Sequence, residues 1–277
     1  MVRKAPVCRI IPFSFVDGPG NRAAIFFQGC GFRCLYCHNP ETISLCGNCG
    51  ACVQGCPVGA LIMEAGKVQW NPGLCCGCDL CIQECPNYSS PRIKMMDAME
   101  IWNECEAVSP YIEGITVSGG ECTQHHELLA ELFSLAHKAG KTAFVDTNGQ
   151  TRFIDMPDLT EAMDMAMLDV KAIDDDEHKR LTGSSNETVL ENMSYLAKIG
   201  KLYEIRTVVA YGLDCAHTVD EASKIIALYP RVRYKLIRFR NKGVRGAMSN
   251  AESPSDKMMN ELKLLAESNG VRLVEII

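Results

Sequence analysis

Cys30-Gly31-Phe32-Arg33-Cys34-Leu35-Tyr36-Cys37 follows closely on the apolar run Ala23-Ala24-Ile25-Phe26-Phe27. The run reads as a β-strand, and the loop after it crowds three thiols together. A four-iron cube held by only three cysteine thiolates keeps one iron open to a non-protein ligand, and an open iron is a place for chemistry. A structural zinc loop is the competing reading, because zinc wants a fourth protein ligand and His38 is in place to serve.

Working outward, the 277 residues suffice for one large α/β domain or two smaller ones with a real core. A net charge of -6, with no basic run, gives no electrostatic footprint for nucleic acid. The opening Met-Val-Arg-Lys-Ala-Pro-Val-Cys has no signal-peptide core, and no run approaches the roughly 18 apolar residues of a membrane span. A cytoplasmic protein without a membrane or nucleic-acid partner is the expectation. Of the 16 cysteines, Cys8, Cys76, Cys105, Cys122 and Cys215 are scattered, as small buried apolar residues are. The others fall in three tight groups, as metal ligands do, and such thiols must stay reduced.

Two of those groups form an internal repeat. Cys46-x2-Cys49-x2-Cys52-x3-Cys56-Pro57 recurs as Cys75-x2-Cys78-x2-Cys81-x3-Cys85-Pro86. This is the two-cluster bacterial ferredoxin spacing, in which the fourth cysteine of each run ligates the other cluster. Cys46, Cys49, Cys52 and Cys85 are expected to hold one [4Fe-4S] cube, and Cys75, Cys78, Cys81 and Cys56 the other. Aliphatic residues are few between the ligands, and Gly66, Asn71, Pro72 and Gly73 mark turns, so the module's folding energy must come largely from metal ligation.

The remainder alternates. A short strand over 8–13 leads into the turn Val16-Asp17-Gly18-Pro19-Gly20, and a helical stretch over 94–109 follows the insert. Strands are expected at 115–117, 142–145, 165–170, 205–210, 234–239 and 271–276, with helices over 127–139, 156–162, 175–181, 187–199, 219–228 and 257–267. The acidic run Asp174-Asp175-Asp176 is expected to cap a helix. Alternation of this kind argues a parallel sheet with right-handed crossovers. About six βα units, too few for eight, fit a partial (βα)6 TIM-like barrel built from residues 1–44 and 93–277, with residues 45–92 as the inserted domain.

Polar strings fall just past the predicted strand ends, where barrel enzymes place their catalytic groups. The cysteine loop follows the first strand, Ser118-Gly119-Gly120-Glu121 the second and Asp146-Thr147-Asn148-Gly149 the third. Asp169-x-Lys171 ends the fourth, and Arg206 lies in the fifth. Gly119-Gly120 would let a ligand approach the backbone, and Glu121 can accept from an ammonium group.

The C-x3-C-x2-C spacing, with Tyr36 before the third cysteine, resembles that of the radical SAM enzymes. Val16-Asp17-Gly18-Pro19-Gly20, Arg22 and the continuation Cys37-His38-Asn39-Pro40 are similar to one branch of them, the glycyl-radical-enzyme activases. Over nearly its whole length the chain resembles the activases with a ferredoxin insert, among them the YjjW-like members.

The resemblance implies that the open iron chelates S-adenosylmethionine, with Tyr36, Gly119, Gly120 and Glu121 in its site. It implies that Asp146, Thr147, Asp169 and the carbonyl of Met167 gather a monovalent cation, and that Lys171 offers a charge to carboxylate or substrate. The chain departs from the family near the end of the sixth strand, where many activases carry a histidine and this one reads Ile237-Arg238-Phe239-Arg240-Asn241; Arg238 or Arg240 is expected either to contact the nucleoside or the carboxylate or to form an exposed basic strand end. Asp17, Lys171 and Arg206 are the catalytic candidates, Asp17 meeting the partner's glycine loop. The implied reaction is one-electron cleavage of S-adenosylmethionine, fed by a ferredoxin or flavodoxin. The resulting 5′-deoxyadenosyl radical takes a hydrogen atom from one glycine of a glycyl radical enzyme, in an anaerobic setting. A radical SAM enzyme acting on a small molecule and an electron-transfer iron-sulfur protein are the alternatives.

Overall fold

The structure, a computed structural model, describes residues 2–277. Strand β1 (Ala5–Ser14) runs antiparallel to β2 (Arg22–Phe27). The insert follows, with a short helix α1 (Ala51–Gln54), a hairpin of β3 (Leu61–Glu64) and β4 (Lys67–Trp70), and a second short helix α2 (Leu80–Gln83). Its two ends meet at an isolated bridge between Ser44 and Ser89.

The chain then returns as β5 (Lys94–Met96), α3 (Ala98–Glu106), β6 (Gly114–Gly119), α4 (His126–Lys138), β7 (Thr142–Thr147), α5 (Pro157–Ala162) and β8 (Met165–Asp169). Helices α6 (Asp175–Thr182) and α7 (Glu187–Lys198), β9 (Leu202–Val209), α8 (Cys215–Ile226), β10 (Arg233–Arg238), α9 (Asp256–Ser268) and β11 (Val274–Ile276) complete it. One open sheet results, in the order β11-β10-β9-β8-β7-β6-β2-β1-β5. From β2 to β11 every neighbouring pair is parallel, and only β1, antiparallel to both β2 and β5, runs the other way.

The strands read as they do because they are central. Ala23, Ala24, Ile25 and Phe27 of β2 are wholly buried, as are Ile115 and Val117 of β6, and a parallel strand covered on both faces needs a continuous apolar run. The core continues through Leu129, Leu132 and Phe133 of α4, each contributing about 1.5–3 kcal/mol by burial. Asp174 does cap α6, its side chain accepting from Glu177 N.

Two expectations are corrected. Residues 94–96 are strand, not helix, because they pair with Ala5–Val7. The helix begins only after Asp97, whose side chain and that of Glu100 form a reciprocal capping box. The strand expected over 8–13 is ten residues long, since β2 and β5 bond it on both sides. Its register shifts between Ile11 and Ser14 accommodate Pro12, which has no N–H to give.

The insert is different in kind. Between Cys46 and Cys85 only Cys52, Ala60 and Leu61 are buried apolar residues. Ordering each residue costs roughly 1–2 kcal/mol, so this burial falls far short of folding the module.

Candidate active site

The cysteine loop is sewn down on two sides. Gly29 N donates to Thr42 O (2.8 Å) and Cys30 N to Ile43 O (2.9 Å), while Arg33 N donates to Thr182 O (2.7 Å) and Leu35 N to Leu181 O (2.9 Å). Tyr36 is buried with Leu181, Ala210, Phe239 and Val244 at the ends of β9 and β10. His38 is spent elsewhere: its Nε2 meets Arg240 O at 2.6 Å and its ring stacks on Phe239. Among the described residues no three His, Cys, Asp or Glu side chains are gathered as a single ion requires. A cube asks for no such convergence, because each thiolate takes its own iron.

Burial pushes the Cys30 thiol up to about 12 and Cys37 up to about 11, and it raises Cys34 as well. Lys171 opposes the shift at all three. Asn148 Nδ2 lies 3.3 Å from Cys30 Sγ.

The polar strings past β6, β7 and β8 meet one another along the C-terminal rim. Glu121 is buried, and its Oε1 accepts from Thr123 N (3.1 Å), Thr123 Oγ1 (2.7 Å) and Thr147 Oγ1 (2.8 Å). Oε2 accepts from Asn148 N at 2.8 Å, which leaves it one acceptor direction. The glycine pair serves the cysteine loop. A Cβ on Gly119, whose φ is +123°, would meet Phe27 N and O at 2.2 Å; one on Gly120 would meet Gly29 O at 2.3 Å. That closeness permits the bonds Gly120 N to Phe27 O (2.8 Å) and Glu121 N to Gly29 O (2.7 Å).

Strand register sets Asp146 opposite Met167 and Asp169 opposite Arg206. Asp146 accepts from Ser118 Oγ (3.1 Å) and Arg206 Nη1 (2.9 Å). Arg206 also reaches Glu204 Oε1 (2.5 Å) and Met167 Sδ (2.9 Å), and Lys235 supports Glu204 from β10 at 2.9 Å. Burial pushes the Asp146 carboxyl up to about 6; Arg206 opposes this, while Asp169 and Asp17 add to it. Lys171 Nζ pairs with Asp169 at 2.8 Å and stands 5.7 Å from the Tyr36 ring centroid.

The turn bearing Asp17 is held from below. Arg22 is buried with only neutral partners: Nε donates to Thr116 Oγ1 (2.8 Å), Nη2 to Ile115 O (2.7 Å) and Nη1 to Thr142 Oγ1 (3.0 Å) and Pro19 O (3.3 Å), and the guanidinium lies 4.3 Å from the Phe144 ring centroid. Thr116 Oγ1 donates onward to Asp17 O (2.6 Å), and Ser14 Oγ bonds the Asp17 carboxylate. Asp17 and Val16 line a cleft of about 420 Å³ whose other wall comes from the insert, through Trp70, Ile82 and Arg92.

Within the insert, one hollow is lined by Cys46, Cys49, Cys52 and Cys85. A second is lined by Cys56, Cys75, Cys78 and Cys81, with Cys76 beside them. Each hollow draws three cysteines from one run and the fourth from the other.

The sequence profile of the Radical SAM superfamily matches residues 24–220. The chain belongs to the radical SAM superfamily. The pyruvate formate-lyase-activating enzyme of Streptococcus mutans is 34% identical to it, over 91% of this chain and 88% of that one. The choline trimethylamine-lyase activating enzyme of Oleidesulfovibrio alaskensis is 30% identical over 76% and 74%. The trans-4-hydroxy-L-proline dehydratase activating enzyme of Clostridioides difficile is 28% identical over 92% and 94%. These relatives are glycyl-radical-enzyme activating enzymes, and the chain is an enzyme of that group. Among solved structures, QueE from Escherichia coli superposes with a TM-score of 0.57 at 11% identity, over 99% of this chain and 94% of that one. A radical SAM methyltransferase from Sphaerobacter thermophilus gives 0.57 at 13%, over 100% and 77%. The two share the fold.

Radical SAM membership implies a [4Fe-4S] cluster and S-adenosylmethionine. The residues present suit them. The three half-buried thiols have no bonded cation and would become thiolates only beside the positive charge that iron brings. Tyr36 Oη is buried with no hydrogen-bond partner among the described residues, close to Lys171. Arg238 pairs with Asp256 at 2.6 Å, and the Arg240 side chain is exposed while its carbonyl takes His38. The sequence marks Arg22 and Arg206 but not the contacts of the Arg22 clamp or of the Glu204–Arg206–Lys235 chain, because these depend on which residues stand opposite across neighbouring strands. No helix of the described residues is long and apolar enough to cross a membrane.

Proposed function

We propose that this radical SAM enzyme installs a glycyl radical in a partner protein, with Cys30, Cys34 and Cys37 holding the cluster that binds S-adenosylmethionine. Once bound, the pair supplies a hydrogen-abstracting 5′-deoxyadenosyl radical on delivery of one electron. Glu121 Oε2 accepts from the methionine ammonium group, and Lys171 faces the carboxylate. Asp146, Thr147, Asp169 and the Met167 carbonyl gather a monovalent cation. The mutual repulsion among Asp17, Asp146 and Asp169 supports that assignment, since a cation would relieve it. Arg206 holds Asp146 in position, and Arg240 stands at the edge of the site without a contact to the other residues named.

The observation that carries the activase reading is the Asp17 turn, clamped by Arg22 at the border of a wide cleft. Phe15 and Val16 beside it are about three-quarters exposed, 76% and 78%, which favours a protein partner over a small molecule. The insert is read as carrying two further [4Fe-4S] clusters, supported by the two four-cysteine hollows. A ferredoxin or flavodoxin supplies the electron.

Reconstituted protein should cleave S-adenosylmethionine to 5′-deoxyadenosine under dithionite. With its glycyl radical enzyme present, an EPR doublet from a protein glycine should appear. Asp17→Asn should retain the cleavage and lose the doublet. A doublet undiminished in that variant would remove Asp17 from partner recognition, and cleavage without any doublet from the wild-type protein would count against activation.

A further inference from the structure

The two hollows of the insert differ in the charge around them. Trp70, Asp79 and Arg92 line the one formed by Cys56, Cys75, Cys78 and Cys81. Trp70 Nε1 is buried there with no hydrogen-bond partner among the described residues. Ala60 N donates to Cys56 Sγ at 3.2 Å. Arg92 is ion-paired with Asp79 at 2.5 Å, but its side chain is 19% exposed against 54% for Asp79. Water therefore screens the anion more than the cation, and the field inside the hollow stays positive.

The other hollow, around Cys46, Cys49, Cys52 and Cys85, is lined by Gly47, Gly50, Ala51, Val68, Pro86, Asn87, Ser89 and Pro91, without a charged side chain among the described residues. Cys46 Sγ donates to Asn48 Oδ1 at 4.0 Å, an acceptor rather than a donor.

Reducing a cube adds one negative charge, so a cation and N–H donors at its sulfurs stabilise the reduced state more than the oxidised one. We propose that Trp70 and Arg92 give the cluster at Cys56, Cys75, Cys78 and Cys81 a higher potential than its neighbour, so that an electron entering the insert rests there first. That electron comes from an external low-potential one-electron carrier. It takes the cube from the 2+ to the 1+ state, with no bond made or broken. The same two side chains also line the cleft shared with Asn39, Glu41 and Thr42, just past the cysteine loop. The proposal rests on the two-cluster reading of the insert.

The test is an EPR-monitored redox titration of the reconstituted full chain, with iron content measured on each sample. The third cluster is recognised by its response to S-adenosylmethionine. Two insert signals with separate midpoints are expected. Arg92→Gln should lower only the higher midpoint, by at least tenfold in the one-electron equilibrium, about 59 mV. Arg92→Lys should retain most of that potential, and Trp70→Phe, which keeps the ring and removes the N–H, should lower the same midpoint. Should Arg92→Gln fail to load, Trp70→Phe decides. Coincident wild-type midpoints, or variants that move both signals or neither, at about twelve irons per chain, would overturn the tuning while leaving the two-cluster reading intact. About four irons per chain would overturn both.

Discussion

Asn148 Nδ2 donates to Cys30 Sγ at 3.3 Å, so the end of β7 reaches across β6 to a cysteine of the loop after β2. An N–H bond to a ligating sulfur favours the reduced cluster. Asn148→Leu should therefore lower the midpoint of the cluster that responds to S-adenosylmethionine. A tenfold change in that equilibrium is about 59 mV for one electron, and a shift of this order is expected. An unmoved midpoint in a fully loaded variant would show that the bond does not bear on the cluster.

Gly120 offers a test of packing. A Cβ there would sit 2.3 Å from Gly29 O and 2.7 Å from Thr42 O, both backbone atoms that cannot swing away. Gly120→Ala should displace the cysteine loop, at a cost of about 1–3 kcal/mol in stability. Iron bound by the Cys30 loop should fall while the insert keeps its share. Equal loading in wild type and variant would show that the loop tolerates the displacement.

Asp146 predicts a pH dependence. Its folded carboxyl titrates at about 6, raised by burial from an ordinary 3.8. Between those values the folded state binds more protons than the unfolded one, so this group's stabilising contribution is complete below about pH 4 and lost as pH rises through 6. The ionised form that attracts a cation exists only above that. Binding of S-adenosylmethionine promoted by a monovalent cation should rise as pH passes about 6, and Asp146→Asn should flatten the rise. Calorimetric titration from pH 5.5 to 7.5 would check it, and an unchanged profile in the variant would exclude Asp146 as the titrating group.

Removal of iron should unfold the insert selectively. With Cys52, Ala60 and Leu61 its only buried apolar residues between the first and last ligand, the module depends on ligation. Chelation should abolish amide protection across residues 45–92 and spare the strands of the main sheet, as hydrogen exchange would show. Protection of β3 and β4 surviving chelation would indicate a module that folds without metal.

Much of this enzyme is legible in contiguous sequence. The cysteine spacings single out the groups that line the two hollows, because residues a few positions apart share one loop. The alternation of apolar runs with helical faces marks a parallel sheet, since buried strands are apolar on both sides. The hairpin of β3 and β4 went unread although Ala65-Gly66, both at positive φ, separate two short runs. Strand β5 was hidden in a helical pattern, because its partner lies some ninety residues earlier at Ala5–Val7.

The rim itself was a tertiary decision. Sequence named Gly119, Gly120, Glu121, Asp146 and Arg206, but it is strand order and register that set Glu121 on Asn148 and Thr147, Asp146 on Arg206, and Asn148 on Cys30. Such contacts depend on which residues stand opposite across neighbouring strands, and a slip of one residue would turn every one of those side chains to the other face. Local spacing therefore determined what chemistry the chain can do, and the packed sheet decided which atoms meet to do it.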